Sequence, residues 1–227
     1  APPAHTPVGV LSEACTRVEG NPFPQRITPP AAEMFDTLGR RSTFTYRLIF
    51  SNLWLFRPIL NLMSRKKGGE LNAMMRTTCA FTMMEGSQGM NVLPPLARMV
   101  ANMRLIGGDT PESAKAYLEK VIDNDNVHLT VLNGINPSPF SPTKGPAWEK
   151  LKSAIRQTWP EAIVSPYLMV ACSDSRHFCR ISDYVYRFSA MALSVGERAT
   201  IHGNNERIPT EKIVRCAQFY VRLISQL

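Results

Sequence analysis

The chain has 227 residues, of which 44% are apolar and 19% charged, and this balance excludes a disordered chain. Its length suffices for one large domain or two smaller ones. The formal net charge is +8, but the basic residues are dispersed and only residues 65–67 form a tight run, so we expect no nucleic-acid partner.

Five cysteines occur at scattered spacings, and no two of them form a CxxC pair. This pattern favours reduced thiols in a cytoplasmic protein over disulfides or a cysteine zinc site. The first residues, APPAHTPVG, contain no charged-then-apolar leader and resemble the continuation of a longer sequence. We therefore expect the chain to be a fragment or a processed product.

Two helices are predicted near the start of the chain. Residues 6–19 carry apolar side chains at helical spacing, with Thr6 placed to cap the helix and Pro7 suited to its first turn. A Pro-Pro pair opens a second, short helix at 31–38.

Residues 44–63 form the most apolar stretch of the chain, interrupted by Arg47, Arg57 and Pro58. A membrane span needs about 20 residues with few or no charges, so the two arginines argue against one. We expect a helical insertion that packs on the body of the protein. A helix that faces a membrane interface or a partner subunit is the alternative.

The following residues predict a sheet with a helix on it. The stretches 77–84 and 97–105 are predicted to be strands joined by an EGSQG turn. Thr110 is placed to cap a helix that ends near Ile122, and 127–132 is predicted to be a further strand. With one strand upstream, this order is the βαββαβ plan of a ferredoxin-like domain.

A second unit begins after a proline-rich loop at 135–144. Its predicted elements alternate between helix and strand, which is typical of an α/β sheet. They are a helix at 146–159, a buried strand at 163–171, a short helix at 175–181, a strand at 185–188 and a last helix at 210–226.

His202 lies in the segment IHGNNE, which is predicted to be a turn before a helix. Turns present reactive side chains to clefts, and neutral imidazole is a common zinc ligand. Taken alone, a histidine in this setting is more often a structural or surface residue.

Ser173 and Asp174 directly follow the predicted strand at 163–171, where open α/β sheets place ligand contacts. Asp174 could instead pair with Arg176 or cap the next helix. A serine hydrolase built on these residues and His202 is disfavoured, because the chain has no GxSxG elbow.

Asn91 and Arg104 are further candidate binding residues. Asn91 offers an amide, and Arg104 offers a planar guanidinium fork that suits a carboxylate. Arg104 lies among apolar residues of a predicted strand, so a structural arginine with its own partner is the alternative.

Taken in order, NVxPxxAxxxxNxRLxxGD, SDSRHF, VYRFS, IHGxNE and a closing helix with FY resemble one zinc metallopeptidase family. It is the family of carboxypeptidase S, aminoacylase and succinyl-diaminopimelate desuccinylase, and the closest likeness is to the carboxypeptidase S branch. The resemblance covers nearly the whole chain and is loosest at 25–75.

The resemblance implies a fold and a division of labour. In that family a ferredoxin-like lid, which also dimerises, interrupts a catalytic α/β domain. Residues 1–134 would be the lid, with the helical insertion at about 25–75, and 135–227 the last part of the catalytic domain. A homodimer formed through the lid is expected, with a small peptide or N-acyl amino acid as substrate.

The resemblance also implies roles for single residues. His202 matches the final zinc ligand, and Asn91 and Arg104 match lid residues that grip the substrate carboxylate, with Asn91 often reaching into the partner subunit's site. Ser173 and Asp174 match the pair at the substrate end of the cleft. Two zinc ions are expected in each active site of the complete protein.

The family's other zinc ligands and its general-base glutamate lie upstream of the matching region. No catalytic residue is therefore predicted in this chain, and His5 is not the equivalent of the family's lid histidine. We expect the chain alone to be inactive, and a non-catalytic lid and dimerisation module is the alternative function.

Overall fold

The computed structural model describes residues 1–226, apart from the side chain of Lys67. These residues form helices and one small antiparallel sheet of two strands, so the chain is of mixed helix and sheet class. The chain divides into two compact units. One comprises Ala1–Ser138 and Tyr167–Ala171, and the other Pro139–Pro166 and Cys172–Leu227.

The first unit contains mostly helix before the sheet and one helix after it. In chain order its elements are α1 (Pro7–Gly20), α2 (Pro29–Arg40), α3 (Phe44–Ser51), α4 (Leu53–Lys67), α5 (Gly69–Met75), β1 (Thr78–Glu85), β2 (Arg98–Arg104) and α6 (Pro111–Ile122). The predicted helices and the first two predicted strands are thus present at closely matching positions.

Local capping chemistry explains where α1 and α6 begin. The Gly9 N–H donates to the Thr6 hydroxyl at 3.2 Å, which satisfies a free donor of the first turn of α1. At α6, Thr110 and Ser113 exchange backbone-to-hydroxyl hydrogen bonds of 2.8 and 3.1 Å in a capping box. These bonds fix both helix starts within one turn of chain.

The sheet and two helices share one hydrophobic core. Ala14 and Val18 of α1 are buried with Ala114, Leu118 and Ile122 of α6. Cys79, Phe81 and Met103 from β1 and β2 pack against this cluster. The order helix, strand, strand, helix, with both helices packed on the sheet, is part of the expected ferredoxin-like plan.

The helical insertion builds a second core in the same unit. Ala31, Met34 and Phe35 of α2, Leu60 of α4 and Met75 of α5 are buried together. The insertion therefore packs on its own unit through one side of α3 and α4, as the sequence predicted.

Arg76, which lies between α5 and β1, connects the helical insertion to the segment after α1 through hydrogen bonds. Its buried guanidinium donates to the Phe23 carbonyl at 3.0 Å, to the Ser64 hydroxyl at 3.3 Å and to the Asn61 side-chain oxygen. Burial lowers the pKa of Arg76 from its ordinary value, and the nearby Arg65 adds to this effect. These hydrogen bonds offset part of the cost of burying the charge, while the buried Nε of Arg76 has no hydrogen-bond partner among the described residues.

The second unit is built on two helices. Its elements are α7 (Pro146–Thr158), a 3-10 helix (Asp174–Arg180), α8 (Val195–Arg198) and α9 (Thr210–Ile224). Leu151 and Ile155 of α7 are buried together with Phe219 of α9. Trp159, directly after α7, and Ala190 belong to the same cluster. The helices predicted at 146–159, 175–181 and 210–226 are therefore present, and α8 is an additional short helix.

Three predicted strands are wrong. In the described part of the chain, 127–132, 163–171 and 185–188 pair with no strand. A strand needs a neighbour for its backbone hydrogen bonds, and an apolar pattern does not specify that neighbour. The remaining strands of the expected ferredoxin-like and α/β sheets are accordingly missing from the described residues.

The structure shows what two of these segments do instead. Leu168 and Val170 pack against the core of the helical insertion. At Val185, the Ser141 hydroxyl accepts from the backbone N–H at 2.9 Å and donates to the carbonyl at 3.0 Å, so a side chain replaces a strand partner.

No helix among the described residues is long and apolar enough to cross a lipid bilayer.

Candidate functional site

His202 stands in the loop between α8 and α9, with a left-handed backbone conformation (φ 65°). This conformation is uncommon for residues other than glycine, although histidine adopts it more readily than most. The next residue is glycine, and a Cβ at Gly203 would lie 3.0 Å from the Thr200 carbonyl oxygen, a contact tight enough to require a small shift of the turn. The Gly203 N–H donates to that same oxygen at 2.8 Å, which closes the turn.

Glu206 holds the turn from its other side. Its carboxylate accepts from the His202 backbone N–H at 3.2 Å, while its own N–H donates to the Gly203 carbonyl at 3.3 Å. Because the backbone is held in this way, His202 is presented as an exposed residue at the tip of the loop. An exposed imidazole is chemically suited to bind a metal ion.

Glu197 and Lys212 join the two ends of this loop. Lys212, in the first turn of α9, donates to the Glu197 carboxylate at 2.5 Å. The same carboxylate accepts from the Ser194 N–H at 2.6 Å, in a capping box that begins α8. The hydrogen bond from Lys212, with those from Ser194, lowers the pKa of Glu197 from 4.5 to about 2.

We expect Glu197→Gln to destabilise the chain at neutral pH and to have a smaller effect in acid. The folded-state pKa of Glu197 lies below its ordinary value, so its stabilising effect is present above about pH 4.5 and is lost as the pH falls towards 2. Urea unfolding of both proteins from neutral pH down to about pH 3 tests this, with Glu211→Gln, one residue before Lys212, as the control. A difference that stays constant as the pH falls would contradict the assignment.

Ser173 and Asp174 lie at the start of the 3-10 helix. The Ser173 hydroxyl accepts from the Ser175 N–H at 3.2 Å, so Ser173 and not Asp174 caps this helix. Ser173 is half-buried, whereas Asp174 is exposed in the first turn. The Asp174 carboxylate is therefore accessible to a ligand on this unit.

Asn91 and Arg104 belong to the first unit and lie at different places on its hairpin. Asn91 is exposed in the loop that joins the end of β1 to the start of β2. Arg104 is the last residue of β2 and lies opposite Thr78, the first residue of β1. Seven strand residues separate these two ends of the sheet by about 20 Å.

The described residues do not by themselves form a zinc centre. No group of three or more His, Cys, Asp or Glu side chains in the described part of the chain is arranged to hold a metal ion. The five cysteines are free and half-buried or exposed. His202 therefore offers one potential zinc ligand, and two zinc ions would need donors from elsewhere.

Sequence reasoning missed the residues that position His202. It assigned no role to Glu206, which lies within the IHGNNE segment, and none to Glu197 or Lys212. The spacing Ser194-x-x-Glu197 is a recognisable capping-box signature and could have identified α8. The pairing with Lys212 could not have been found in this way, because it joins residues 15 positions apart.

Comparison with known proteins identifies the family. A family model described as Peptidase family M20/M25/M40 matches residues 7–226. The chain is 33% identical over 224 residues to "Probable carboxypeptidase S-like 2" of Dictyostelium discoideum, a match that covers 98% of this chain and 43% of that protein. No solved structure gave a significant match.

Other relatives carry two kinds of name. The "N-fatty-acyl-amino acid synthase/hydrolase PM20D1" of Xenopus tropicalis is 35% identical over 98% of this chain and 44% of its own length. "Carboxypeptidase S" of Saccharomyces cerevisiae is 22% identical over 91% of this chain and 42% of its own length. The chain thus spans less than half the length of these relatives. The match along almost its entire length shows that the chain belongs to peptidase family M20/M25/M40.

Proposed function

We propose that this chain is part of a two-zinc hydrolase that cleaves the amide bond of a peptide or an N-acyl amino acid with a free carboxylate. The observation that carries the proposal is the loop of His202. A family match along the chain coincides there with an exposed imidazole, held in a left-handed turn by Gly203 and Glu206. A rigid turn is what a metal ligand requires, because its orientation must be set before the metal binds.

We assign two parts of the chain to the lid and to the last part of the catalytic domain. Residues 1–134, with the insertion at about 25–75, would form the ferredoxin-like lid, and 135–227 the end of the catalytic domain. The packing of α1 and α6 on one antiparallel sheet supports the lid assignment. The position of His202 just before the last helix supports the catalytic assignment.

Asn91 and Arg104 would bind substrate from the lid. Arg104 presents a planar cation that can form two parallel hydrogen bonds with a carboxylate, and Asn91 presents an amide donor. Arg104 ends β2, whereas Asn91 lies in the loop at the other end of the hairpin, and the two ends of the sheet are about 20 Å apart. That separation supports a homodimer in which each lid serves its own site through one residue and the partner's site through the other.

Ser173 and Asp174 would line the substrate end of the catalytic part's cleft. The capping role of Ser173 fixes the start of the 3-10 helix, and this leaves the Asp174 carboxylate exposed. A carboxylate there would favour a substrate donor, such as an amide N–H or an amino group, and disfavour a second acid. This preference agrees with a substrate that carries its only negative charge at the end bound by Arg104.

The chain alone should not catalyse the reaction. A bound pair of zinc ions would supply the charge that activates a water for attack on the amide carbonyl, with His202 as one of the ligands. His202 alone cannot hold such a pair, and the expected general-base glutamate has no candidate here. We expect the zinc-treated 227-residue chain to hydrolyse neither dipeptides nor N-acyl amino acids, as measured by amine release. Turnover that a chelator abolishes would contradict this expectation.

A non-catalytic lid and dimerisation module is the second candidate function. In this case the chain would supply a dimerisation surface and no metal ligand. The two candidates differ in zinc content, since a module that only dimerises needs no metal. Stoichiometric zinc in the purified complete protein, together with activity, would support the hydrolase.

A further inference from the structure

The helix α4 has an inner face that is already packed. Leu60 is buried in the core of the insertion, and Leu53 packs against the same cluster from the start of the helix. Ser64, one turn after Leu60, is also buried and donates to the Asn61 carbonyl at 3.0 Å. The apolar contacts that hold α4 on its unit come from this side. Arg57 and Arg65 of α4 also donate to the Gln25 and Gly20 carbonyls at 2.7 and 3.2 Å.

The opposite side of α4 is apolar and exposed. Trp54, Leu55, Ile59 and Leu62 have exposed fractions of 78, 55, 55 and 56%. At 3.6 residues per turn these four side chains fall within an arc of about 140°, and we name this surface the outer face of α4. A soluble monomer rarely exposes large contiguous apolar surface without a partner, so this face needs an occupant.

The charge around this face indicates which kind of partner binds it. Residues 44–67 contain no aspartate or glutamate, whereas the exposed Arg47, Arg57, Arg65 and Lys66 are all basic. Arg65 and Lys66 fall within the arc of the outer face, on the last turn of α4. An apolar surface that continues into basic residues complements the anionic headgroups and acyl chains of a lipid leaflet.

A second copy of the chain fits this face less well. In a two-fold dimer the same patch meets itself, so Arg65 and Lys66 would face apolar or basic residues of the partner's segment and no acidic ones. Like charges across an interface disfavour association unless acidic residues intervene, and the segment has none.

We infer that the outer face of α4 docks onto an anionic lipid surface. Trp54, Leu55, Ile59 and Leu62 enter the boundary between headgroups and acyl chains, and Arg65 and Lys66 contact the anionic headgroups. The helix lies along the surface, because its 15 residues measure about 22 Å and the hydrocarbon core measures about 30 Å. This inference does not depend on the proposed hydrolase function.

Sedimentation with lipid vesicles tests the inference on the full 227-residue chain. We expect binding to vesicles of phosphatidylcholine with phosphatidylserine, and much weaker binding to phosphatidylcholine alone. The double substitution Trp54→Ser and Ile59→Ser should weaken binding by at least about tenfold. The control is Leu132→Ser, since Leu132 is 79% exposed but lies outside the insertion, and this variant should bind as the unchanged chain does.

Two further variants make the test independent of folding defects. Arg65→Gln with Lys66→Gln should weaken binding to the anionic vesicles roughly 30-fold, whereas Lys120→Gln with Arg156→Gln removes the same charge from other helix ends and should have little effect. Trp54→Phe should keep binding but abolish most of the blue shift of tryptophan emission on vesicle addition.

The inference is overturned if phosphatidylserine in the vesicles does not increase binding of the chain. It is also overturned if both double variants of α4 bind the anionic vesicles as tightly as their controls. It is also overturned if analytical ultracentrifugation shows a dimer that Trp54→Ser with Ile59→Ser dissociates, while no vesicle binding occurs. In that case a second copy covers the outer face.

Discussion

In the complete hydrolase, replacing His202 should remove zinc and activity together. Loss of residues that merely support a metal ligand lowers metal affinity or activity 10- to 100-fold, so loss of a ligand should cost more than about 100-fold. Zinc content by atomic absorption and kcat/KM for an N-acyl amino acid are the two measurements. Each should fall in His202→Ala.

A second substitution separates the imidazole from the backbone it requires. His202→Asn places a residue that tolerates the left-handed conformation on the same turn and keeps the N–H that Glu206 accepts. We expect it to lose zinc as His202→Ala does. His128→Ala, which removes an exposed histidine of the first unit, is the control. Full zinc content and normal rate in the asparagine variant would remove His202 from the metal site.

The second large effect is expected at Arg104. In the complete hydrolase, Arg104→Ala should lower kcat/KM for a substrate with a free carboxylate roughly 30-fold to several-thousand-fold. This corresponds to a loss of about 2–5 kcal/mol of transition-state stabilisation. The physical reason is that the variant leaves the carboxylate without its two-pronged cationic partner. A substrate whose carboxylate is capped as an amide should lose far less, so the enzyme should cease to distinguish the two.

Two other variants identify the cause of this change. Arg104→Lys keeps the charge without the planar fork and should fall between the unchanged enzyme and Arg104→Ala. Arg98→Ala removes an exposed arginine at the other end of β2, opposite Glu85, and should leave the preference for the free carboxylate intact. An equal loss on both substrates in Arg104→Ala would indicate a structural role for Arg104.

The helices could be predicted from the sequence because their signals are local. Thr6 with Pro7, and Thr110 with Pro111, mark two helix starts, and the capping hydrogen bonds are made within three residues of each threonine. The apolar spacing of α7 and α9 likewise identifies the faces that bury Ile155 and Phe219.

The strands show where this reasoning fails. The apolar run at 163–171 predicts a buried strand, yet Ile163 and Tyr167 are exposed. Leu168 and Val170 are half-buried and pack on helices instead of extending a sheet. Short apolar runs do not specify their neighbours, and a strand exists only where a neighbour accepts its backbone hydrogen bonds. The same limit applies to the candidate site: the sequence named candidate residues but could not give their surroundings.

By itself, the sequence determined the helix starts, the hairpin and the ordered motifs that identify the family, because each of these depends on residues close together in the chain. Only the tertiary structure decided which runs pair as strands. It also decided that Glu197 and Lys212 close the loop of His202, and that one face of α4 stays outside the core. Such contacts join distant residues, and their energies depend on geometry that no local pattern contains.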